Sequence, residues 1–450
     1  MKAVRVRDSE GRTKLPLQSG GMSITDDRGV YRIYGLLPGA YLVCAGGSGS
    51  GFGYQNPFAF DARIYYPSST RDAATEITVQ AGVETTGTDL RWRSERGFVV
   101  SGTIRTAADS ESSIRGFIQF DLINPVTGAR EASGFNPSGT AGNGFAFYGV
   151  SDGEYDLIAS SGGSELIARS QPRRIVVSGR DVTGLELTLL PVGSLAGKVV
   201  IETLQAENKA KTCHSPRPLL PEEILISVSR DQQGREEPQD YFPYARFGSP
   251  NSQGEFTVKN LEAGRWRLIP RLPDDNFYLR SITLPASAPK PARAGTASAG
   301  SSANDPARNG LTLKSGERVT GLIVTAAEGA AALKGKVSAE GAKLPARLRV
   351  FLLPAEKEVA DNVLRYAEAG ADGDGAFSFS HLAPGRYLLL ARAVPENESA
   401  DRPVRPLAWD SNERAKLRRE AEAANVTIEL KPCQRVNDYT LRASAFTGLR

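Results

Sequence analysis

One short pattern recurs four times along the chain, and this recurrence limits the possible folds more than any other feature. The copies are Gly29-Val-Tyr31-Arg-Ile33 with Pro38-Gly39-Ala-Tyr41, and Gly144-Phe145-Ala-Phe147 with Asp152-Gly153-Glu-Tyr155. They continue as Gly254-Glu-Phe256-Thr-Val258 with Ala263-Gly264-Arg-Trp266, and Gly375-Ala-Phe377-Ser-Phe379 with Pro384-Gly385-Arg-Tyr387. The two glycines of each copy stand 10, 9, 10 and 10 residues apart. Each copy has a polar turn ending in glycine, two apolar side chains on one strand face, and a second tight turn that opens on an aromatic. This predicts a hairpin-like β-turn-β unit with one buried face. Chance likeness among glycine-rich loops would not keep the four copies in phase.

Two further elements repeat in step. Downstream of each unit lies a strand-turn-strand pattern: Ile77–Leu90, Ile175–Leu189, Leu311–Val324 and, in degenerate form, Val426–Leu441. Upstream stand Val99-Val-Ser-Gly102-Thr-Ile104, Leu195-Ala-Gly197-Lys-Val199 and Leu333-Lys-Gly335-Lys-Val337, with no match before the first unit. The expected domains are therefore 1–95, incomplete and missing its opening strands, 96–191, 192–329 and 330–450. The third carries insertions at 202–221 and 285–309, the latter rich in Ala, Ser, Pro and Gly and not expected to pack. The fourth carries one short helix, about 411–424, with Asp410 as its cap. Units of this size, made mostly of strands, predict an all-β chain of tandem antiparallel sandwiches. The short link from Leu190 to Leu195 predicts a stiff junction.

Composition removes several function classes. Lys+Arg 55 against Asp+Glu 51 gives a net charge of +4, without the basic excess of a nucleic-acid binder. Three cysteines, Cys44, Cys213 and Cys433, do not make a disulfide scaffold, although one bridge and one free thiol fit the count. No apolar run approaches the ~20 residues that cross a bilayer, and Met1–Lys14 is too charged for a secretory signal. Taken alone, these features predict a cytoplasmic chain.

Thr25-Asp-Asp-Arg-Gly-Val-Tyr-Arg-Ile33 followed by Leu37-Pro-Gly-Ala-Tyr41 resembles the carboxypeptidase regulatory-like domain. That group has a transthyretin-like (prealbumin-like) sandwich akin to the Cna-B-type repeats of collagen-binding surface proteins. The fourth copy matches through Gly375, Phe377, Leu382, Pro384, Gly385 and Tyr387. Tyr65-Tyr66-Pro67-Ser68 and the stretch from Trp409 through Cys433 resemble large multi-domain acidobacterial proteins of this type. The resemblance implies export to a periplasmic, outer-membrane-associated or extracellular position. It also implies that Met1 is a start placed downstream of the true one, or that the gene is truncated. It supplies no catalytic residue.

Candidate sites are few. His214 and His381 have no partner at metal-ligand spacing, and no glycine-rich run is followed by Lys-Ser/Thr, so no enzyme, metal centre or cofactor is expected. Asp26, Asp27, Asp372 and Asp374 place carboxylates in tight turns, as a calcium site requires. Aspartate there equally serves as a turn former, and Asn143 and Asn251 stand in the matching turns. Tyr54, Tyr65 and Tyr66, with Phe58 and Phe60, form one aromatic group, and Tyr241, Phe242 and Tyr244, with Phe247, form another. Each is either core or a surface for envelope glycan or protein. Trp92, Trp266 and Trp409 are expected as core or interface anchors. In an exported chain, Cys213 and Cys433 are a possible disulfide clipping domains three and four, with Cys44 free. Lys198 or Lys336 with Asn425 supply ingredients for the Lys–Asn cross-links of related surface repeats, but both lysines are expected on solvent-facing edge strands. The sequence thus predicts a non-enzymatic cell-envelope scaffold or spacer, with a carbohydrate- or protein-binding module as the alternative and a hydrolase behind both.

Overall fold

The computed structural model describes residues 1–8, 20–46, 60–106, 117–125, 130–137, 144–162, 166–204, 217–231, 246–285, 305–339, 344–345, 348–394 and 407–443. The described residues fall into two compact units, one over Met1–Val192 and one from Gly193 onward.

The first unit contains β1 (Lys2–Asp8), β2 (Gly20–Met22), β3 (Gly39–Ala45), β4 (Ile64–Tyr65) and β5 (Ile77–Val79) in one sheet. It continues with β6 (Phe98–Thr106), β7 (Phe117–Ile123), β8 (Arg130–Pro137), β9 (Gly144–Val150), β10 (Gly153–Gly162), β11 (Leu166–Arg169), β12 (Arg173–Val177) and β13 (Val182–Pro191). The second unit runs β14 (Gly193–Glu202), β15 (Leu225–Arg230), β16 (Phe247–Gly248), β17 (Glu255–Leu261), β18 (Gly264–Arg271), β19 (Phe277–Thr283), β20 (Leu311–Leu313) and β21 (Arg318–Glu328). Its remaining strands are β22 (Ala331–Ala339), β23 (Leu348–Pro354), β24 (Ala367–Ala371), β25 (Ala376–Leu382), β26 (Gly385–Ala393), β27 (Thr427–Leu430) and β28 (Arg435–Ala443).

These strands build all-β two-layer sandwiches with one plan. An opening strand (β6, β14 or β22) lies between an antiparallel aromatic strand (β9, β17 or β25) and a parallel closing strand (β13, β21 or β28). The second layer pairs β7–β10–β12, β15–β18–β20 and β23–β26–β27, all antiparallel. Each sandwich buries its own apolar cluster between the layers. In the second sandwich Phe120 meets Phe145 and Phe147 at ring-centroid distances of 5.6 and 5.2 Å.

The repeated unit is not a hairpin. Its two strands are never hydrogen-bonded to each other: β17 and β25 lie in one sheet and β18 and β26 in another, while β9 and β10 stand apart in one eight-stranded sheet that runs on from one layer to the other through β11 and β13. The chain is an arch between layers, and backbone geometry explains why. Gly35, Gly149, Asn260 and His381, at matching positions, all take a positive φ of 54 to 70° before the second turn. That left-handed step swings the chain out of its first sheet. The downstream element crosses in the same way, with β12 in one layer and β13 in the other.

The first copy departs from expectation in both directions. Lys2–Asp8 forms a strand, paired with β3 just as β7 pairs with β10, in a copy expected to lack its opening strands. Its inward residues are Ala3, Arg5 and Val6, and the alternating Lys and Arg disguise it. No described strand occupies the position of β6, and the segments matching β9 and β13 carry no ladder. The 285–309 insertion also ends in order. Asp305 caps one helical turn, α1 (Pro306–Asn309), by accepting from the N–H of Ala307 and Arg308, and Arg267 donates to the carbonyls of Ala307 and Arg308. The second helix, α2 (Ser411–Ala424), is capped by Asp410 and lays Leu417 and Ala421 on Phe351, Leu353, Leu388 and Leu390, the outer face of a sheet. Lys198 and Lys336 are exposed on β14 and β22, which are central strands and not the edges expected. Asn425 is an exposed left-handed helix cap, so a buried Lys–Asn pair is not assembled.

Candidate functional site

The chemistry of the repeat gathers at the arches. The second-turn aromatic is buried in every copy, and its polar tip donates to the carbonyl four residues earlier. Tyr41 Oη reaches Leu37 O at 2.8 Å, Tyr155 Oη reaches Ser151 O at 2.9 Å, Trp266 Nε1 reaches Glu262 O at 2.9 Å and Tyr387 Oη reaches Ala383 O at 2.6 Å. Each bond satisfies a carbonyl that the arch removes from any ladder. In three copies an arginine also grips the arch: Arg5 donates to Pro38 O, Arg230 to Ala263 O at 2.7 Å and Arg365 to Pro384 O at 2.9 Å. In the second copy Asp152 instead accepts from the Gly179 N–H at 2.7 Å. Gly29, Gly39, Tyr31, Phe256 and the other repeat residues thus belong to the turns and strands of the arches themselves.

The first-turn carboxylates are occupied by their own backbone. Asp26 Oδ1 accepts from Arg28 and Val30, and Asp372 Oδ1 accepts from Asp374 and Ala376. Asn251 makes the same two bonds, to Gln253 and Glu255, with no charge at all. Asp27 and Asp374 are turn neighbours of these acceptors, and among the described residues no cluster of three or more metal-binding side chains forms.

The aromatic groups separate. Tyr65, offered as a binding residue, is corrected to core: it is 3 % exposed, packed with Val6, Leu42 and Cys44. Tyr66 is half-buried and donates to Gly87 O at 3.4 Å, whereas Phe60 and Phe247 are exposed. Tyr54, Tyr241, Phe242 and Tyr244, like Phe58 and His214, lie outside the described residues. Trp266 and Trp409 are buried, and Arg267 stacks 4.2 Å over the Trp409 ring.

What the sequence did not reveal is a polar joint inside each unit. In the first unit Glu131, on β8, faces the end of the first copy. Its carboxylate pairs with Arg63 at 2.6 Å and Arg71 at 2.9 Å and accepts from Tyr65 Oη at 3.3 Å, with Arg63, Arg71 and Glu131 nearly buried. Burial, with the Glu131 charge adding to it, pushes the Tyr65 phenol well above its ordinary value. Beside the joint, Phe60 meets Tyr148 edge-on at 5.0 Å. In the second unit the loop before β19 is the hub. Asn276 O accepts from the N–H of both Gly329 and Ala330, and Arg435 donates to Asp275 O and Asn276 Oδ1. His381 bonds Phe277 O through Nδ1 at 2.9 Å and approaches Asp275 through Nε2 at 3.2 Å. These partners lie 53 to 160 residues apart in sequence, beyond any local motif.

Cys44 is free and buried, and burial raises its thiol pKa. Cys433 is disulfide-bonded and sits at a positive φ of 64°, in the place that Gly82, Gly179 and Gly316 hold in the other copies. Cys213 lies outside the described residues.

A buried carboxylate on β7 gives a pH test. Asp121 accepts from Ser133 and from Gln119 at 3.2 Å, and its pKa is raised, first by burial. A raised folded-state pKa means its contribution to stability is whole below the ordinary carboxylate value and fades as pH rises through the folded value. Asp121→Asn is therefore expected to raise Tm at pH 7, although it gives up the charge that Arg130 approaches at 3.4 Å. That gain should shrink as the pH is lowered toward about 4. A calorimetric pH series checks both.

No protein-family model matches the chain, and no curated protein matches it. Solved structures do. The Bacillus anthracis TIE protein is 11% identical over 99% of this chain and 69% of its own, with a TM-score of 0.19. Two B repeat units of the Staphylococcus aureus collagen-binding protein are 8% identical over 75% of this chain and 81% of theirs, at 0.19. The minor pilin GBS52 of Streptococcus agalactiae is 11% identical over 52% of this chain and 96% of its own, at 0.23. At such TM-scores the fold assignment rests on the sheets themselves.

Proposed function

We propose that this chain is a non-enzymatic scaffold or spacer of the cell envelope, built from four tandem sandwiches with boundaries near residues 95, 191 and 329. The observation that carries the reading is the pair of polar joints. A spacer has to transmit position from one sandwich to the next, and Glu131 with its two arginines, or Asn276 with Gly329, Ala330 and Arg435, ties neighbours directionally. The bonded state of Cys433 supports an oxidising compartment. No helix among the described residues is long and apolar enough to cross a membrane.

The second reading is a glycan- or protein-binding module, favoured by the exposed rings of Phe60 and Phe247. Retention of the full chain on envelope polysaccharide and on envelope protein extract, compared with Phe60→Ala and Phe247→Ala variants, separates the two. The scaffold reading expects no saturable retention and unchanged Tm in both variants. Saturable retention lost in either variant at unchanged Tm overturns it in favour of binding.

A further inference from the structure

The joint in the second unit carries one side chain that changes charge near neutral pH, and its backbone is unusual. His381 stands near the end of β25, at the arch position that Gly35, Gly149 and Asn260 hold in the other copies, with a φ of 54°. A residue with a side chain carries strain in that left-handed region, and neighbouring contacts have to offset it. Here those contacts cross the joint. The ring leaves the fourth sandwich and meets the turn before β19 in the third. Nδ1 lies 2.9 Å from Phe277 O, and Nε2 lies 3.2 Å from Asp275 Oδ1. Both oxygens only accept, since neither a carbonyl nor an ionised carboxylate has a proton to give. A neutral imidazole has one N–H and one bare lone pair, so it satisfies one oxygen and turns the lone pair toward the other. The imidazolium has an N–H at each nitrogen and satisfies both. The contacts of His381 are thus those of a protonated ring.

The charged groups on the surrounding elements leave this arrangement standing. In the turn, Asp274 accepts from the Asn276 N–H at 2.8 Å, while the Asp275 carboxylate faces the ring. On β28, Arg435 carries a charge that opposes protonation, but it donates to Asp275 O and Asn276 Oδ1 and not to that carboxylate. On β19, Arg280 pairs with Glu202. On the short turn Val363–Arg365, the Arg365 guanidinium holds Pro384 O and lies over the Tyr387 ring. At the end of β21, Glu328 accepts from the Leu204 N–H. The bonds from the Gly329 and Ala330 N–H groups to Asn276 O are between backbone groups and do not titrate. His381 is therefore the member of the joint that responds to acidity around neutrality.

We propose that His381 is a proton-operated latch on the joint between the third and fourth sandwiches. Protonated, it pins Phe277 O and Asp275 together across the joint. As pH rises through the interval in which histidine loses its charge, about 5 to 8, one of the two contacts is given up and the joint loosens. Because the protonated form is the bonded one, its contribution to stability is whole at low pH and fades as pH rises. The latch deepens the scaffold reading, which rests on the same joint, by making the stiffness of that joint depend on acidity.

The test uses the full chain with isotope-labelled histidine, in which His214 and His381 give the imidazole signals and a His214→Gln variant assigns them. Near pH 5.5 the His381 ring should carry protons on both nitrogens. His381→Asn keeps a residue that tolerates the left-handed turn, as Asn260 does, and removes the titration. The unaltered chain should melt above this variant near pH 5.5, by about 1–2 °C for a partly exposed pair, and the gap should close near pH 8. In an Asp275→Asn background the same substitution should open a smaller gap. Amide exchange at Gly329 and Ala330, corrected for its intrinsic pH dependence, should speed up between the two conditions while that of Leu389 in the core does not. A ring that stays neutral near pH 5.5 overturns the proposal, as does a gap that is equal at both pH values or grows with pH. So does an undiminished gap in the Asp275→Asn background. Protection of Gly329 and Ala330 that is strong and independent of pH overturns the latch alone. Absence of protection there under both conditions overturns the joint, and the scaffold reading with it.

Discussion

Replacing Glu131 by alanine should cost the first unit about 3–5 kcal/mol, the scale set by removing one partner of a buried ion pair. Arg63 and Arg71 would both remain in a nearly buried pocket, lined also by Leu122, Val150 and Tyr155, without the Glu131 carboxylate. The penalty comes from those stranded charges more than from the loss of attraction. Glu131→Gln keeps an acceptor for one arginine and should cost less. Urea unfolding of both variants, followed by hydrogen exchange at residues 63–71, checks the order. A Glu131→Ala loss below 1 kcal/mol would mean that water already reaches both guanidinium groups.

The second large effect is expected at Trp266. Its ring is fully buried, its Nε1 holds Glu262 O, and Arg246 and Arg230 stack over it at 4.9 and 5.8 Å. Trp266→Ala should cost ~3–5 kcal/mol from the cavity, with the arch carbonyl and the Arg230–Glu262 pair losing their cover as well. Trp266→Phe fills most of the volume and removes only the N–H bond, worth about 1 kcal/mol. Chemical denaturation of the two variants separates packing from capping. If the two variants lost the same amount, the hydrogen bond and not the ring would be closing the arch.

How much of this could be read from the sequence depended on the distance over which the information is written. Phe145 with Phe147, and Phe377 with Phe379, announce a buried strand face through their spacing alone, and the structure buries all four. Asp410 and the helix formers after it likewise give α2 locally. The arch reads as a hairpin from sequence because a short link ending in glycine between two strands, Asp152-Gly153 above all, is a common hairpin signal. The feature that decides otherwise, a left-handed residue at the end of the first strand, is carried by Asn260 and His381 in two of the copies, where no glycine marks it. β1 was missed because Arg5 is an inward residue whose charge is spent on the arch carbonyl of Pro38. The joints were beyond reach for another reason. Nothing near Glu131 says that Arg63 will meet it, since that encounter is made by the packing of two separately formed sheets.

The parallel pairing of opening and closing strands has a mechanical consequence. In each complete sandwich the chain enters and leaves through adjacent strands running the same way, as β14 and β21 or β22 and β28 do. Tension along the polypeptide would then shear their ladder, loading its hydrogen bonds together instead of peeling them one by one.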